Sequence, residues 1–346
     1  KGLNLYENGR YHQAIIVWEN VLNNSSKIQE KILTLNYLSN GYQELGEWEK
    51  AESALDESLK LLQSQSNPSI LAQVLTTQGN LQLATGQTEA ALNTWQKAEN
   101  IYKQINDKTG ILGSKINQAQ ALQSLGLYRN AKEILADVNQ ELQKEPDSEI
   151  KAMGLRSLGN ILQVIGDLNY SQKVLEQSLL ISQKIKSNSD ITGTLFSLGN
   201  TFRDLQNYPQ AETYYQKALV NTKDALTRLQ IQNNQLSLLL TDENPEQAVK
   251  LINSMTEEIH NITPSRMSIY ALINFSENLL KIKSISSRKI GDILGKAVQY
   301  SQILNDRKAE AYSVGQLGKL YLHNQQLETS QELTIKALKI AQQIRS

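Results

Sequence analysis

The chain has 346 residues, and its 35 Lys and Arg residues balance 35 Asp and Glu residues, so the formal net charge is zero. A hydrophobic fraction of 40% is too high for a disordered chain, and the absence of a basic excess argues against nucleic-acid binding and polybasic membrane anchoring. The chain has no cysteine, which excludes disulfides, thiolate zinc sites and cysteine nucleophiles.

From the second predicted helix pair onward, a small residue recurs every forty positions. The first five of these residues are Ser39, Gly79, Ala119, Gly159 and Gly199. The pattern returns at Gly318 after a less regular stretch. Regular spacing of this length is typical of a solenoid built from stacked supersecondary units. We therefore predict a repeat protein with no separate globular domain.

Each unit also predicts a second helix. Twelve residues after the first small residue lies another, and four positions later a large residue follows, namely Leu55, Trp95, Leu135, Leu175 and Tyr215. Paired helices approach closely only where side chains are small, and large residues fill the space between such points. Gly159 and Gly199 are therefore expected at close approaches, where Leu would be destabilising. Gly110 is expected near a helix start beside a long turn, where Leu would cost less.

The stretch from about 225 to 305 departs from the pattern, since Leu236 occupies a small position there. Gly199 and Gly318 are nevertheless separated by nearly three units, so two degenerate pairs are predicted within 225–304 rather than a long loop. The prediction is one solenoid over residues 1–346. Its nine helix pairs span about 1–25, 28–64, 68–105, 108–145, 148–186, 189–224, 225–261, 264–304 and 306–346.

These positions resemble the tetratricopeptide repeat (TPR) family, in which a small residue, a turn glycine and an Ala–aromatic–Ala run recur. The two units closest to the family pattern contribute Gly199, Phe202, Tyr208, Ala211, Tyr215 and Ala218, and Gly79, Gly86, Ala91, Trp95 and Ala98. The family's usual period is 34 residues, and its typical proline near the repeat end is missing here. The resemblance implies an all-α, right-handed superhelical solenoid of antiparallel helix pairs.

A narrower resemblance concerns the turns between repeats, such as Asn106-Asp107-Lys108. Forty-residue units with such turns resemble those of bacterial, particularly cyanobacterial-type, multi-TPR proteins, many of which carry a CHAT protease domain. Since this chain has no cysteine, the resemblance implies that any such domain lies beyond Ser346. The chain begins with Lys1 inside the repeat pattern and is expected to be a fragment of a longer protein.

Motifs for catalysis and for cofactor binding are absent from the sequence. It contains no GxSxG, HExxH, Walker or GxGxxG motif. Its three histidines, His12, His260 and His323, lack the helical spacing of a metal site. We therefore expect no enzymatic activity, no metal and no cofactor.

A series of amides directly follows the small residues: Asn40, Asn80, Gln120, Asn160 and Asn200. In TPR proteins that bind extended peptides this position faces the concave groove, and an amide can both donate to and accept from a peptide backbone. Two basic residues, Arg156 and Arg203, are expected on the same face. The alternative is that these amides bond to neighbouring repeats and stabilise the stack. A TPR carboxylate clamp is not expected, because the positions equivalent to Arg156 hold Asn36, Thr76 and Ile116.

The predicted function is a non-catalytic scaffold that binds a protein or an extended peptide in the concave groove. It would serve as a recognition or regulatory arm for a domain outside this chain. The alternative is a signalling-peptide sensor that regulates an attached output domain. No nucleic acid or membrane partner is expected, and a cytoplasmic location is the default. Self-association is possible through the last helix, whose apolar residues spread over more than one face: Leu333, Ile335, Leu338, Ile340 and Ile344.

Overall fold

A computed structural model describes residues 1–7, 10–63, 67–241, 245–282 and 284–345. Within these ranges the regular secondary structure is helical, with no strand, which confirms the predicted all-α solenoid class. The chain divides into two compact units, residues 1–146 and 147–346. That one continuous solenoid spans both units stays a prediction.

The first unit contains eight helices in its described residues. They are α1 (Gly2–Glu7), α2 (Tyr11–Asn24), α3 (Ile28–Glu44), α4 (Trp48–Leu62), α5 (Pro68–Ala84), α6 (Thr88–Gln104), α7 (Lys108–Ser124) and α8 (Tyr128–Leu142). Helices that are consecutive in the chain pack against each other, as α3 does against α4 and α5 against α6.

The second unit contains ten α-helices and one short 3-10 helix in its described residues. They are α9 (Glu149–Val164), α10 (Leu168–Ile185), α11 (Asn188–Asp204), α12 (Tyr208–Asn221), α13 (Ala225–Thr241), α14 (Pro245–Glu258), the 3-10 helix Ile259–Asn261, α15 (Arg266–Leu280), α16 (Ser287–Ile303), α17 (Arg307–His323) and α18 (Leu327–Arg345). The irregular stretch of the sequence thus forms α13 to α16.

Small residues on the first helix of a pair lie against large residues on the second, as the spacing predicts. A Cβ atom at Gly79 would lie 2.3 Å from Nε1 of Trp95, and one at Gly199 would lie 2.4 Å from Cε1 of Tyr215. At Gly159 the nearest atom, Cγ of Leu175, would be 2.5 Å away. Real Cβ atoms do not approach other atoms this closely, so these contacts require glycine.

The turns inside the pairs explain a second recurring glycine. Gly46, Gly86, Gly126 and Gly166 have φ angles of 70°, 93°, 77° and 87°, in the left-handed region that ends many helices. A Cβ atom disfavours this conformation, so glycine is the residue of lowest cost there. In later pairs Gln206 and Gln325 adopt it with φ of 60° and 61°.

Gly110 lies near the start of α7, as expected, but the expected long turn and the lower cost of Leu there are wrong. A Cβ atom there would lie 2.2 Å from Cδ1 of Tyr102, as close as at Gly159 or Gly199. The reason is the short turn between α6 and α7, in which Asp107 accepts a hydrogen bond from the Gly110 amide at 2.9 Å. Tyr102, in the last turn of α6, covers the first turn of α7. By contrast, a Cβ atom at Gly113 would meet no atom within 4 Å.

None of the helices in the described residues is both long enough and apolar enough to cross a bilayer.

Candidate functional site

The predicted amide series lies on the first helices of successive pairs. Its members occupy α3, α5, α7, α9 and α11, each close to the C-terminal end of its helix. Asn80 is exposed and the others are half-buried. For Asn40, Asn80, Gln120 and Asn160, the described part of the chain offers no side-chain hydrogen-bond partner. These four amides are therefore available to a ligand.

Asn200 differs from the other members because its side chain is part of a hydrogen-bond network. Its Oδ1 accepts from the hydroxyl of Tyr215 at 2.9 Å and from Nδ2 of Asn234 at 2.7 Å. Burial raises the pKa of Tyr215 well above its ordinary value, so the hydroxyl remains a donor at neutral pH. Asn200 therefore joins α11 to α12 and α13. For this one amide, the side chain has the alternative role of bonding to neighbouring helices and stabilising the stack.

Arg203 extends the network to the preceding pair. Its Nη1 donates to Oδ1 of Asn234 at 3.2 Å, and its Nε donates to Oδ1 of Asp204 at 2.9 Å. The other oxygen of Asp204 accepts from Nε2 of Gln163 on α9 at 2.6 Å. The charge of Arg203 is thus balanced by its neighbour in the chain.

Arg156 has other partners. Its Nη1 lies 3.0 Å from Oδ1 of Asp190 in the first turn of α11, with both side chains largely buried. The guanidinium lies so close to Gly193 that a Cβ atom there would be 2.6 Å from Nη1. Asp190 and Asp204 therefore neutralise the two arginines that the sequence suggested as a cationic part of the groove.

The structure adds two amides that the forty-residue period missed. Asn234 lies 34 residues after Asn200 and is bonded to it, and Asn274 follows forty residues later. Lys319, which directly follows Gly318, lies 45 residues after Asn274. A fixed period of forty instead leads from Asn200 to Leu240 and Leu280. The signal that could have identified them is an Asn within a helical apolar pattern, found when the spacing is allowed to depart from forty residues.

Both added amides line a polar cleft of about 470 Å³ in the second unit. Helices α13, α15 and α17 form its walls. Its lining is polar or charged except for Leu280, and comprises Asn233, Asn234, Ser237, Asn274, Glu277, Asn278, Lys281 and Lys319.

Asn233 and Asn278 hold the walls of this cleft together. Nδ2 of Asn278 donates to the backbone oxygen of Asn233 at 3.1 Å, and Nδ2 of Asn233 donates to the backbone oxygen of Ala271 at 2.9 Å. These bonds join α13 to α15 and leave Oδ1 of Asn233 buried, with no hydrogen-bond partner in the described residues. Asn274 is exposed, and its side chain makes no hydrogen bond to any described residue. It is therefore available to a ligand, as Asn160 is.

The described residues contain no group of three or more His, Cys, Asp or Glu side chains that could hold an ion.

Solved structures with a similar fold include those of two proteins, Rap and NprR. The Rap protein complexed with Competence and Sporulation Factor is 11% identical with a TM-score of 0.62, and the match covers 99% of this chain and 96% of that one. The apo form of the quorum sensor NprR from B. thuringiensis is 14% identical with a TM-score of 0.61, and the match covers 98% of this chain and 96% of that one. NprR in complex with its cognate peptide NprX is 15% identical with a TM-score of 0.59, and the match covers 88% of this chain and 90% of that one. At these identities the similarity concerns the fold.

Two family models match the sequence. One, described as tetratricopeptide repeat, covers residues 30–104. The other, described as SusR N-terminal TPR domain, covers residues 82–286, more than half of the chain. No protein with a curated description matches the sequence. The chain therefore belongs to the tetratricopeptide repeat proteins, in the family of the SusR N-terminal TPR domain.

Proposed function

We propose that the chain is a non-catalytic scaffold that binds an extended peptide through amides on the first helices of its pairs. The observation that carries this proposal is the set of amides with no side-chain partner in the described residues. In the first unit these are Asn40, Asn80 and Gln120, and in the second unit they are Asn160 and Asn274. An amide offers one acceptor and two donors, which matches the alternating groups of a peptide backbone. A structural ladder would leave fewer of these amides unbonded.

The structural neighbours favour a more specific candidate, a sensor of signalling peptides. The solved structures of Rap and NprR include complexes with Competence and Sporulation Factor and with the peptide NprX. The proposal for this chain is that peptide binding to the first helices regulates an output domain.

The predicted role as a recognition arm within a longer protein belongs to the same proposal. The resemblance to CHAT-associated bacterial proteins stays a prediction, because both matching family models describe repeats alone. Self-association through α18 also stays a prediction. Ile340 is buried, whereas Ile335 and Leu338 are 44% and 56% exposed, and the side chain of Ile344 lies outside the described residues.

Alanine substitutions in the series test the proposed function. Peptides selected from a random library for binding to the wild-type chain should bind about three- to tenfold more weakly to Asn160→Ala and Asn274→Ala. The physical reason is that each variant loses about 0.5–1.5 kcal/mol of hydrogen bonding. Affinity is measured by fluorescence anisotropy of the labelled peptides.

Asn253→Ala is the matched control, because Asn253 is an exposed residue of α14 outside the cleft. Asn200 is unsuitable for this test, since its removal would also deprive Tyr215 of an acceptor. If all three variants bind the peptides as the wild type does, the first helices are not the binding surface.

A further inference from the structure

We infer that the cleft between α13, α15 and α17 binds an acidic side chain of the peptide, and that Lys281 and Lys319 pair with its carboxylate. The inference rests on the proposed function, and it adds the chemistry of one ligand residue.

The charges in the cleft are unbalanced. Its charged lining consists of Lys281, Lys319 and Glu277, which leaves one net positive charge. Among the ion pairs of the described residues, none includes any of these three side chains. Oε1 of Glu277 accepts instead from Nε2 of Gln316 at 3.0 Å. The cleft thus lacks the internal neutralisation that Asp190 and Asp204 give to the two arginines.

The two lysines differ in how they are held. Nζ of Lys281 donates to Oδ1 of Asn278 at 3.3 Å, and the same oxygen accepts from Oγ of Ser237 at 3.2 Å. One of the three ammonium donors of Lys281 is thus directed along the wall, and two are left for a ligand. Lys319 is exposed and has no side-chain hydrogen bond or ion pair to a described residue.

A peptide in the cleft displaces water from these ammonium groups. A neutral side chain would leave them poorly compensated, whereas a carboxylate supplies an opposite charge and charge-assisted hydrogen bonds. Asn274 lines the cleft and has no side-chain partner among the described residues, so a backbone bonded to this amide continues across the cleft. Such a backbone presents a side chain to the lysines rather than a chain terminus.

The test uses an array of random ten-residue peptides attached through their C-termini, so that the terminal carboxylate is blocked. Bound peptides should share Asp or Glu at one position. Replacement of that residue by Asn or Gln should weaken binding to the wild-type chain about tenfold, which corresponds to a lost charged hydrogen bond. Lys319→Gln and Lys281→Gln should lose this preference.

Two further variants sharpen the result. Lys250→Gln should keep the preference, because Lys250 is an exposed residue of α14 outside the cleft. Glu277→Gln should strengthen the preference for Asp or Glu. The change removes a negative charge that repels the ligand carboxylate, and it retains an acceptor for Gln316. Raised salt should weaken binding to the wild type more than binding to Lys319→Gln.

Each outcome decides between the two proposals. Peptide binding with equal affinity for acidic and amide side chains overturns this inference and leaves the proposed function standing. A preference that appears only in soluble peptides with free C-termini also overturns it. An array that captures no peptide contradicts the proposed function itself.

Discussion

Replacement of Trp95 by Ala should lower the free energy of unfolding by about 3–5 kcal/mol, as for other buried aromatic residues. Trp95 is 1% exposed, and its ring fills the space left by Gly79 on the facing helix. Its Nε1 also donates to the backbone oxygen of Thr76 at 3.2 Å. The variant would create a cavity and lose this hydrogen bond.

Urea denaturation followed by circular dichroism measures this loss of stability. The Trp95→Phe variant serves as an intermediate case for comparison. Phe retains most of the ring volume and lacks the N–H group, so its cost should be much smaller than that of Ala. A Trp95→Ala variant that unfolds at the wild-type urea concentration would show that the contact between Gly79 and Trp95 does not hold α5 and α6 together.

Gly199→Leu should lower the free energy of unfolding by about 3 kcal/mol through overpacking. Leu has a higher helix propensity than Gly by almost 1 kcal/mol, but Tyr215 is fully buried and cannot move away without cost. Displacement of Tyr215 would also break its hydrogen bond to Asn200. The same urea titration measures the loss.

Gly295→Leu is the control for this substitution. Gly295 lies in α16, and a Cβ atom there would meet nothing within 4 Å. Leu at this position should leave stability unchanged or raise it slightly. Equal losses for the two variants would mean that the contact between Gly199 and Tyr215 is not what requires the glycine.

The sequence predicts the fold well because its strongest signals lie within one helix pair. Gly79 and Trp95 are sixteen residues apart, and the same spacing recurs at Gly159 and Gly199. The turn at Gly86 could also be predicted, because its signal is local: a left-handed φ favours glycine over other residue types. Contacts between pairs have no such local signal. The closeness of Gly110 to Tyr102 depends on how one pair meets the next.

The candidate site could be predicted only in part, for a related reason. The series from Asn40 to Asn200 follows a fixed period, whereas Asn234 becomes visible only once α13 is known to begin soon after α12. The partners of Arg156 and Arg203 lie on neighbouring helices, and their choice depends on side-chain directions. The sequence therefore suggested a cationic groove where the structure has ion pairs.

Single cysteines offer a direct test of where a peptide binds, because the natural chain has none. In Asn274→Cys and Asn253→Cys variants, the rate of alkylation by a maleimide reports whether each position is covered. A saturating peptide selected on the wild-type chain should slow alkylation at position 274 at least about tenfold and leave position 253 unchanged. Equal rates at position 274 with and without peptide would contradict binding along the first helices.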